Sequence, residues 1–202
     1  MTKKVIIATK NPGKAAEFSE MFAKFDIQVE TLLDHAEIAD IAETGSSFME
    51  NAGIKASETA KLLGQIVIAD DSGLCIDALE GRPGLYSARY AGPEKDDQAN
   101  RTKVLTEMKA VADEDRTAHF FTALVVANAS GEIIARYSGR LDGLILREEQ
   151  GQNGFGYDPI FYVKEKGMTT AEMTSDEKAA ISHRGQALAA LQADLDGGRL
   201  VL

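Results

Sequence analysis

Residues 66–69 read IVIA, a short unbroken apolar run of the kind that fills a strand buried on both faces, and they lead straight into Asp70-Asp71-Ser72-Gly73. Such a strand needs cover on each side, which helices supply in α/β proteins. The run is predicted to stop at the acidic pair. Chemistry often sits at strand ends of this type.

The surrounding pattern agrees with an α/β chain. Residues 5–9 (VIIAT) read as a strand and 10–14 (KNPGK) as a turn. A helix follows, on which Phe18, Met21, Phe22 and Phe25 keep i, i+3, i+4, i+7 spacing. A second helix is predicted to start at Ser47, where Ser47 and Glu50 form a capping box, and to stop at Gly64, with Met49, Ala52, Ala56, Ala60 and Leu63 on one side. A third begins at Asp97 and carries Leu105, Met108 and Ala112. Residues 119–128 and 133–140 around the turn 129–132 read as an antiparallel hairpin, so the sheet is predicted to be mixed. A glycine-rich loop at 151–156 precedes a PIFYV strand, and a last helix bearing Leu188, Leu191 and Leu195 ends at Gly197.

The chain has 202 residues, 44% of them hydrophobic and 27% charged, which suits one soluble globular domain that can be two-lobed. Its apolar runs fall far short of the roughly 18 residues that span a bilayer. No secretory pattern follows the first residues, so a cytoplasmic protein without a membrane partner is expected. Cys75 is the single cysteine; it permits neither an internal disulfide nor a thiolate zinc cluster and reads as a small buried hydrophobe. A formal net charge of -10 argues against a nucleic-acid polymer as partner. Any phosphate site must be built locally.

Five segments can carry chemistry. In ATKNPGKAAEF at 8–18 a strand hands over to a helix start through Asn11, Gly13 and Lys14, and amides at a helix start with a lysine can cradle phosphate. The glycine spacing is that of neither a Walker loop nor a dinucleotide-binding turn, which counts against a nicotinamide-dependent oxidoreductase. Asp70 and Asp71 are adjacent carboxylates, expensive near a buried strand unless a cation or donors meet them. With no histidine or cysteine beside them, these hard oxygen ligands suit magnesium. Glu43 is a candidate second carboxylate. The loop GQNGFGYDPIF at 151–161 lets backbone approach a ligand while Phe155 and Tyr157 offer flat faces to a base. In SDEKAAISHRGQAL at 175–188, Lys178, His183 and Arg184 cluster near a helix start and suit an anion or a polar base edge. Taken singly, each segment also fits a plainer role: a turn with Lys14 in solvent, an Asx turn at 70–73, a solvated acid at Glu43, packing aromatics, a solvated helix start.

Together and in this order, the segments resemble the inosine triphosphate pyrophosphatase family, which removes non-standard purine nucleotides. IADDSGLCIDALEGRPGLYSARYAG, NGFGYDPIF and ISHRG are similar to its signatures, and the resemblance covers nearly the whole chain. Ala180 departs from it, where many relatives carry a polar residue such as asparagine. The resemblance implies a mixed α/β fold, an elongated sheet flanked by helices in two lobes with the active site in the cleft, a homodimer and Mg2+. By that similarity Thr9, Lys10, Asn11, Pro12, Gly13, Lys14 and Ser72 would hold the phosphates, and Glu43 and Asp71 the metal. Asp71 would also accept the proton of the attacking water. Phe155, Gly156, Tyr157, Asp158, Lys178, His183 and Arg184 would complete the substrate site. The implied reaction hydrolyses inosine, deoxyinosine or xanthosine triphosphate to the monophosphate and pyrophosphate. Whether Asp70 is also a ligand stays open, and a nucleotide sensor or a pyrophosphatase for a modified pyrimidine nucleotide remain alternatives.

Overall fold

The computed structural model describes residues 3–25, 27–35 and 37–202. In chain order the strands and helices are β1 (Lys3–Ile7), α1 (Pro12–Ala23), β2 (Ile27–Thr31), α2 (Phe48–Leu63), β3 (Val67–Ile76) and α3 (Asp97–Glu107). There follow β4 (Thr117–Ala127), β5 (Ile133–Ile145), β6 (Phe161–Val163), β7 (Met168–Thr169), α4 (Ser175–Ile181) and α5 (His183–Asp196). The strands form one sheet in the order β2-β1-β3-β4-β5-β6-β7. It is mixed, as the hairpin implied: β1 runs parallel to β2 and β3, whereas β6 runs antiparallel to β5 and β7. Among the described residues no helix is long and apolar enough to cross a membrane.

The chain divides into two compact units, of which the first comprises Met1–Asp71, Thr122–Gly139 and Arg184–Leu202. Here β1 is the inner strand, and Val5, Ile6, Ile7 and Ala8 are all buried. The connection through α1 leads to one neighbour of β1 and the connection through α2 leads back to the other. Because parallel crossovers are right-handed, this reversal sets α1 and α2 on opposite faces of the sheet. Helix α1 starts at Pro12, inside the 10–14 span expected to be a turn. The Asn11 side chain accepts the Lys14 amide at 3.0 Å, and Pro12 occupies the first turn, where its missing N–H loses nothing. Phe18, Met21 and Phe22 form its buried face, but Phe25, predicted as a fourth member, lies beyond the helix and is 38% exposed.

Helix α2 obeys its sequence signals with one shift. Ser47 Oγ caps the Glu50 amide at 3.2 Å, yet the Glu50 carboxylate accepts from the Ser46 amide at 2.6 Å rather than from Ser47, so the predicted capping box is only half formed. Gly64 closes the helix at φ 63, a left-handed conformation that glycine adopts without strain. Ala52, Ala56 and Ala60 are fully buried, whereas Met49 and Leu63 sit at the margin of that stripe.

Two further expectations are corrected. Strand β3 does not stop at residue 69; it continues through Asp70, Asp71, Ser72 and Gly73 to Ile76. The last helical stretch is two helices, because Ser182 adopts an extended ψ of 156 between α4 and α5.

The second unit comprises Ser72–Phe121 and Arg140–His183. Its core gathers Leu74, Ile76, Val104, Met108, Phe120, Ile145, Ile160 and Phe161. On α3 the buried positions are Asn100 and Val104, with Met108 at the cap; Leu105 is only partly buried and Ala112 falls past the helix end. Arg116 is buried with its guanidinium donating to the carbonyls of Met108, Ile145 and Leu146 at 2.6, 2.7 and 2.9 Å, a clamp made wholly of backbone acceptors. The PIFYV strand begins later than predicted, since Asp158–Ile160 form a 3-10 turn and only Phe161–Val163 pair.

At the hairpin tip, Gly131 stands at φ 83 and its carbonyl accepts from Ser57 Oγ of α2 at 2.7 Å. A Cβ there would lie 2.5 Å from Lys61 Cε and 2.9 Å from the Ser57 carbonyl oxygen. Gly131→Ala combines a left-handed backbone penalty with a backbone collision and is expected to lower stability by about 1–3 kcal/mol in urea unfolding, whereas Ala129→Gly should change it far less.

Candidate active site

Successive strand residues point to opposite faces, and β3 uses that alternation on its two aspartates. The Asp70 side chain is fully buried and meets Lys14 Nζ of α1 at 2.7 Å, Arg184 Nη2 of α5 at 3.3 Å and Thr122 Oγ1 of β4 at 2.9 Å. Arg184 is 2% exposed and gives its other terminal nitrogen to Glu17 of α1. Burial would raise the Asp70 pKa, but Arg184 and Lys14 overcome it and hold the carboxyl well below the usual aspartate range. The same burial, with Lys55 and Arg184 nearby, outweighs Asp70 at Lys14 and pulls that ammonium below the usual lysine value. The pair is therefore unequal: Asp70 is firmly ionised, while burial above all draws Lys14 toward its neutral form.

Asp71 turns to α2. Lys55 Nζ lies 3.7 Å from Asp71 Oδ1 and 2.9 Å from Glu43 Oε1, and it donates to the Asp70 carbonyl at 2.7 Å. One ammonium thus stands within reach of both acids singled out as metal ligands. Asp71 Oδ2 is buried without a hydrogen-bond partner among the described residues. Burial pushes the Asp71 pKa up; Lys55 and Lys14 oppose the rise, and Glu43 and Asp70 add to it. A carboxylate oxygen in this state is a strong acceptor for a proton or a hard cation.

The turn after β1 is ordered by its own side chains. Thr9 Oγ1 accepts the Asn11 amide at 3.1 Å, and the Thr9 carbonyl accepts from Leu32 at 3.1 Å. Lys10 is turned aside, donating to the Ile38 carbonyl at 2.6 Å and pairing with Asp40 at 2.9 Å. Pro12 and Gly13 open α1 beside Lys14.

In the second unit Asp158 organises the glycine loop. Its carboxylate, 4% exposed, accepts from Lys178 Nζ at 2.6 Å, the Phe155 amide at 2.9 Å and Thr170 Oγ1 at 2.8 Å. Gly154 must be glycine: it stands at φ 74, and a Cβ would lie 2.0 Å from Asp158 Oδ2. Phe155 is half-buried with the Lys178 ammonium 5.0 Å above its ring, whereas Tyr157 is buried and donates its hydroxyl to the Ser87 carbonyl at 2.6 Å. Of the two aromatics predicted as base platforms, only Phe155 offers a face; Tyr157 belongs to the core. His183 is buried and stacks on Phe120 at 4.9 Å. Gly156 is held through its backbone, and Ser72 is half-buried on β3.

Residues 5–194 match the sequence model of the Ham1 family. The chain belongs to the Ham1 family. A protein of Bacillus anthracis named dITP/XTP pyrophosphatase is 53% identical over 193 residues, covering 94% of this chain and 95% of that one. A HAM1 protein of Coxiella burnetii has a structure that superposes with a TM-score of 0.85 at 42% identity, covering 96% of this chain and 99% of that one. The Ham1 protein of Staphylococcus aureus superposes with a TM-score of 0.83 at 42% identity, covering 97% and 100%.

In this Ham1 chain sequence reasoning missed two residues that the geometry brings forward. Lys55 lies three positions after Ala52 and four before Thr59, so a lysine interrupting a buried helix face was the available signal. Glu17 follows Lys14 by three positions on α1, the spacing of side-chain neighbours. Asp70, left open as a ligand, has its carboxylate engaged by Lys14, Arg184 and Thr122.

Asp70→Asn leaves buried Lys14 without its counter-charge and Arg184 with that of Glu17, and is expected to lower unfolding free energy by about 3–5 kcal/mol at neutral pH. The folded pKa of Asp70 lies below its unfolded value, so this stabilisation is fully present above the ordinary aspartate range and is lost as pH falls toward the depressed value. Urea unfolding of both proteins should show their difference shrinking as the pH is lowered below about 4.

Proposed function

We propose that the chain hydrolyses non-standard purine nucleoside triphosphates, those of inosine, deoxyinosine and xanthosine, to the monophosphate and pyrophosphate, and so cleanses the nucleotide pool. The observation that carries the reading is the pair Glu43 and Asp71 gathered about one ammonium, with Asp71 Oδ2 buried and unpartnered next to the lysine-bearing turn after β1. Membership of the Ham1 family, and relatives named dITP/XTP pyrophosphatase at 51–53% identity, support the same chemistry.

Glu43 and Asp71 fit Mg2+, because both are hard oxygen donors already drawn to one positive charge and one oxygen lacks a partner. When bound there, the ion would neutralise charge on the phosphates and polarise the anhydride. Asp71 accepts the proton of the attacking water, a task suited to a carboxylate whose pKa burial has raised. Lys14 and the first turn of α1 receive the phosphates, joined by Thr9, Asn11, Pro12, Gly13 and Ser72. Lys55 holds Glu43 and Asp71 in register, and Lys10, tied to Asp40, orders the far side of the turn.

Phe155 offers its ring to the base, with Gly156, Tyr157, Asp158 and Lys178 fixing the loop and His183 completing the site. Arg184 is assigned to the 6-keto oxygen of hypoxanthine or xanthine. A guanidinium donates only, so adenine with an amino group at that position leaves it unmatched. In this structure Nε, Nη1 and Nη2 of Arg184 donate to Asp70 and Glu17, so meeting a base requires Arg184 to give up part of that pairing. The working form is a homodimer in the cytoplasm, as the family resemblance implies.

A panel of nucleoside triphosphates assayed for pyrophosphate tests this reading. Inosine and xanthosine triphosphates should be cleaved with Mg2+, chelator should abolish release, and adenosine triphosphate should react at least ~10²-fold more slowly. Asp71→Asn should lose at least ~10² in turnover with little loss of stability. Comparable cleavage of adenosine and inosine triphosphates, or an active Asp71→Asn enzyme, contradicts the assignment.

A further inference from the structure

The glycine loop has two anchors. On one side Asp158 takes the Phe155 amide. On the other stands the first turn of α3: Asp97 Oδ2 accepts the Gly156 amide at 2.8 Å, and Arg101 Nη1 donates to the Gly156 carbonyl at 2.8 Å. Residues four apart share a helix face, so this single turn grips both peptide planes that flank one glycine. Gly156 stands at φ 61 and has no side chain to pack, which leaves the orientation of those planes to whatever holds them from outside.

The grip is itself immobilised. Arg101 is 13% exposed, its Nε lies 3.0 Å from Glu149 Oε1, and its Nη2 donates to Gln98 Oε1 at 2.7 Å. Gln98 Nε2 then donates to the same Glu149 oxygen at 2.7 Å, closing a ring of three side chains. With Nη1 on the Gly156 carbonyl and Nη2 on Gln98, the planar guanidinium is fixed in direction as well as in distance.

We propose that Asp97 and Arg101 are positioning residues for base recognition: by clasping Gly156 they fix the tilt of the Phe155 ring against the purine without touching the nucleotide. The proposal rests on the assignment of this loop to the base. Groups assigned to the phosphates and to proton abstraction belong to β1, β3, α1 and α2, so losing the clasp weakens binding of the base in ground state and transition state alike. That pattern raises KM and leaves kcat nearly unchanged.

The test is steady-state kinetics of the full chain with Mg2+ and inosine or guanosine triphosphate, on Asp97→Ala, Asp97→Asn, Arg101→Ala and Arg101→Lys. The alanine variants are expected to raise KM for inosine triphosphate about tenfold and to narrow its preference over guanosine triphosphate. Their kcat should stay within about threefold of the unmodified protein. Asp97→Asn keeps an acceptor and should recover most of the loss. Arg101→Lys cannot hold Gly156, Gln98 and Glu149 in one plane and should fall between. Urea unfolding checks the fold, and if the alanine variants unfold, the asparagine and lysine variants carry the test. Unchanged KM and unchanged selectivity overturn the proposal, and so does a loss in kcat at constant KM. If the unmodified protein releases no pyrophosphate from any purine triphosphate, the functional reading fails first and this role with it.

Discussion

Asp70 lies in the middle of β3 with no solvent contact, and the first unit is arranged around making that tolerable. A carboxylate removed from water without partners costs several kcal/mol. Lys14 comes from the first helix, Thr122 from the fourth strand and Arg184 from the last helix, so the meeting at Asp70 joins four distant stretches of sequence. Such a cluster adds little net stability over an apolar core, yet breaking it is costly, and that asymmetry makes it a device for specifying arrangement. Lys14 reaches Asp70 only if α1 starts at Pro12, which is what the Asn11 cap enforces.

The ion cluster also explains how two identical neighbours can differ. Strand alternation sends Asp70 to α1 and α5, where its charge is met by two cations, and sends Asp71 to α2, where Lys55 stands farther off and one oxygen lacks a partner. Burial pushes both pKa values up, but the partners of Asp70 outweigh it and hold that carboxyl down, whereas those of Asp71 do not and its pKa ends raised. A structural anion and the proposed proton acceptor arise from one dipeptide. The repulsion expected from their adjacency is moderated because the two carboxylates point to different partners, although Asp70 still adds to the raised pKa of Asp71.

Local signals in the sequence carried over well. The Asn11 and Ser47 caps, the Gly64 stop and the turn between β4 and β5 depend on residues within four positions of each other, and each appears in the structure. Signals that depend on tertiary partners did not. The extension of β3 through two aspartates was unreadable because a strand pattern assumes apolar filling, and it takes Lys14, Arg184 and Thr122 to make an acidic strand stable. Tyr157 looked like Phe155 in sequence, yet its hydroxyl found the Ser87 carbonyl and the ring went into the core. Lys55, Glu17, Asp97 and Arg101 were missed because the contacts that give them their roles, with Glu43, Arg184 and Gly156, lie from 12 to 167 positions away, and for Lys55 and Glu17 the helix spacing was the one local sign.

A common electrostatic rule runs through both units. Lys14 and Arg184 face Asp70, Lys55 faces Glu43, and Lys178 faces Asp158, so the cations of the proposed site are already matched by carboxylates in a chain whose formal net charge is -10. A bare polyphosphate entering this set would bring several negative charges into surroundings with little positive charge to spare. Near-neutral surroundings of this kind favour a ligand whose charge is largely offset before it arrives, which is the physical argument for the proposed divalent cation beside the Asp71 oxygen that has no partner among the described residues.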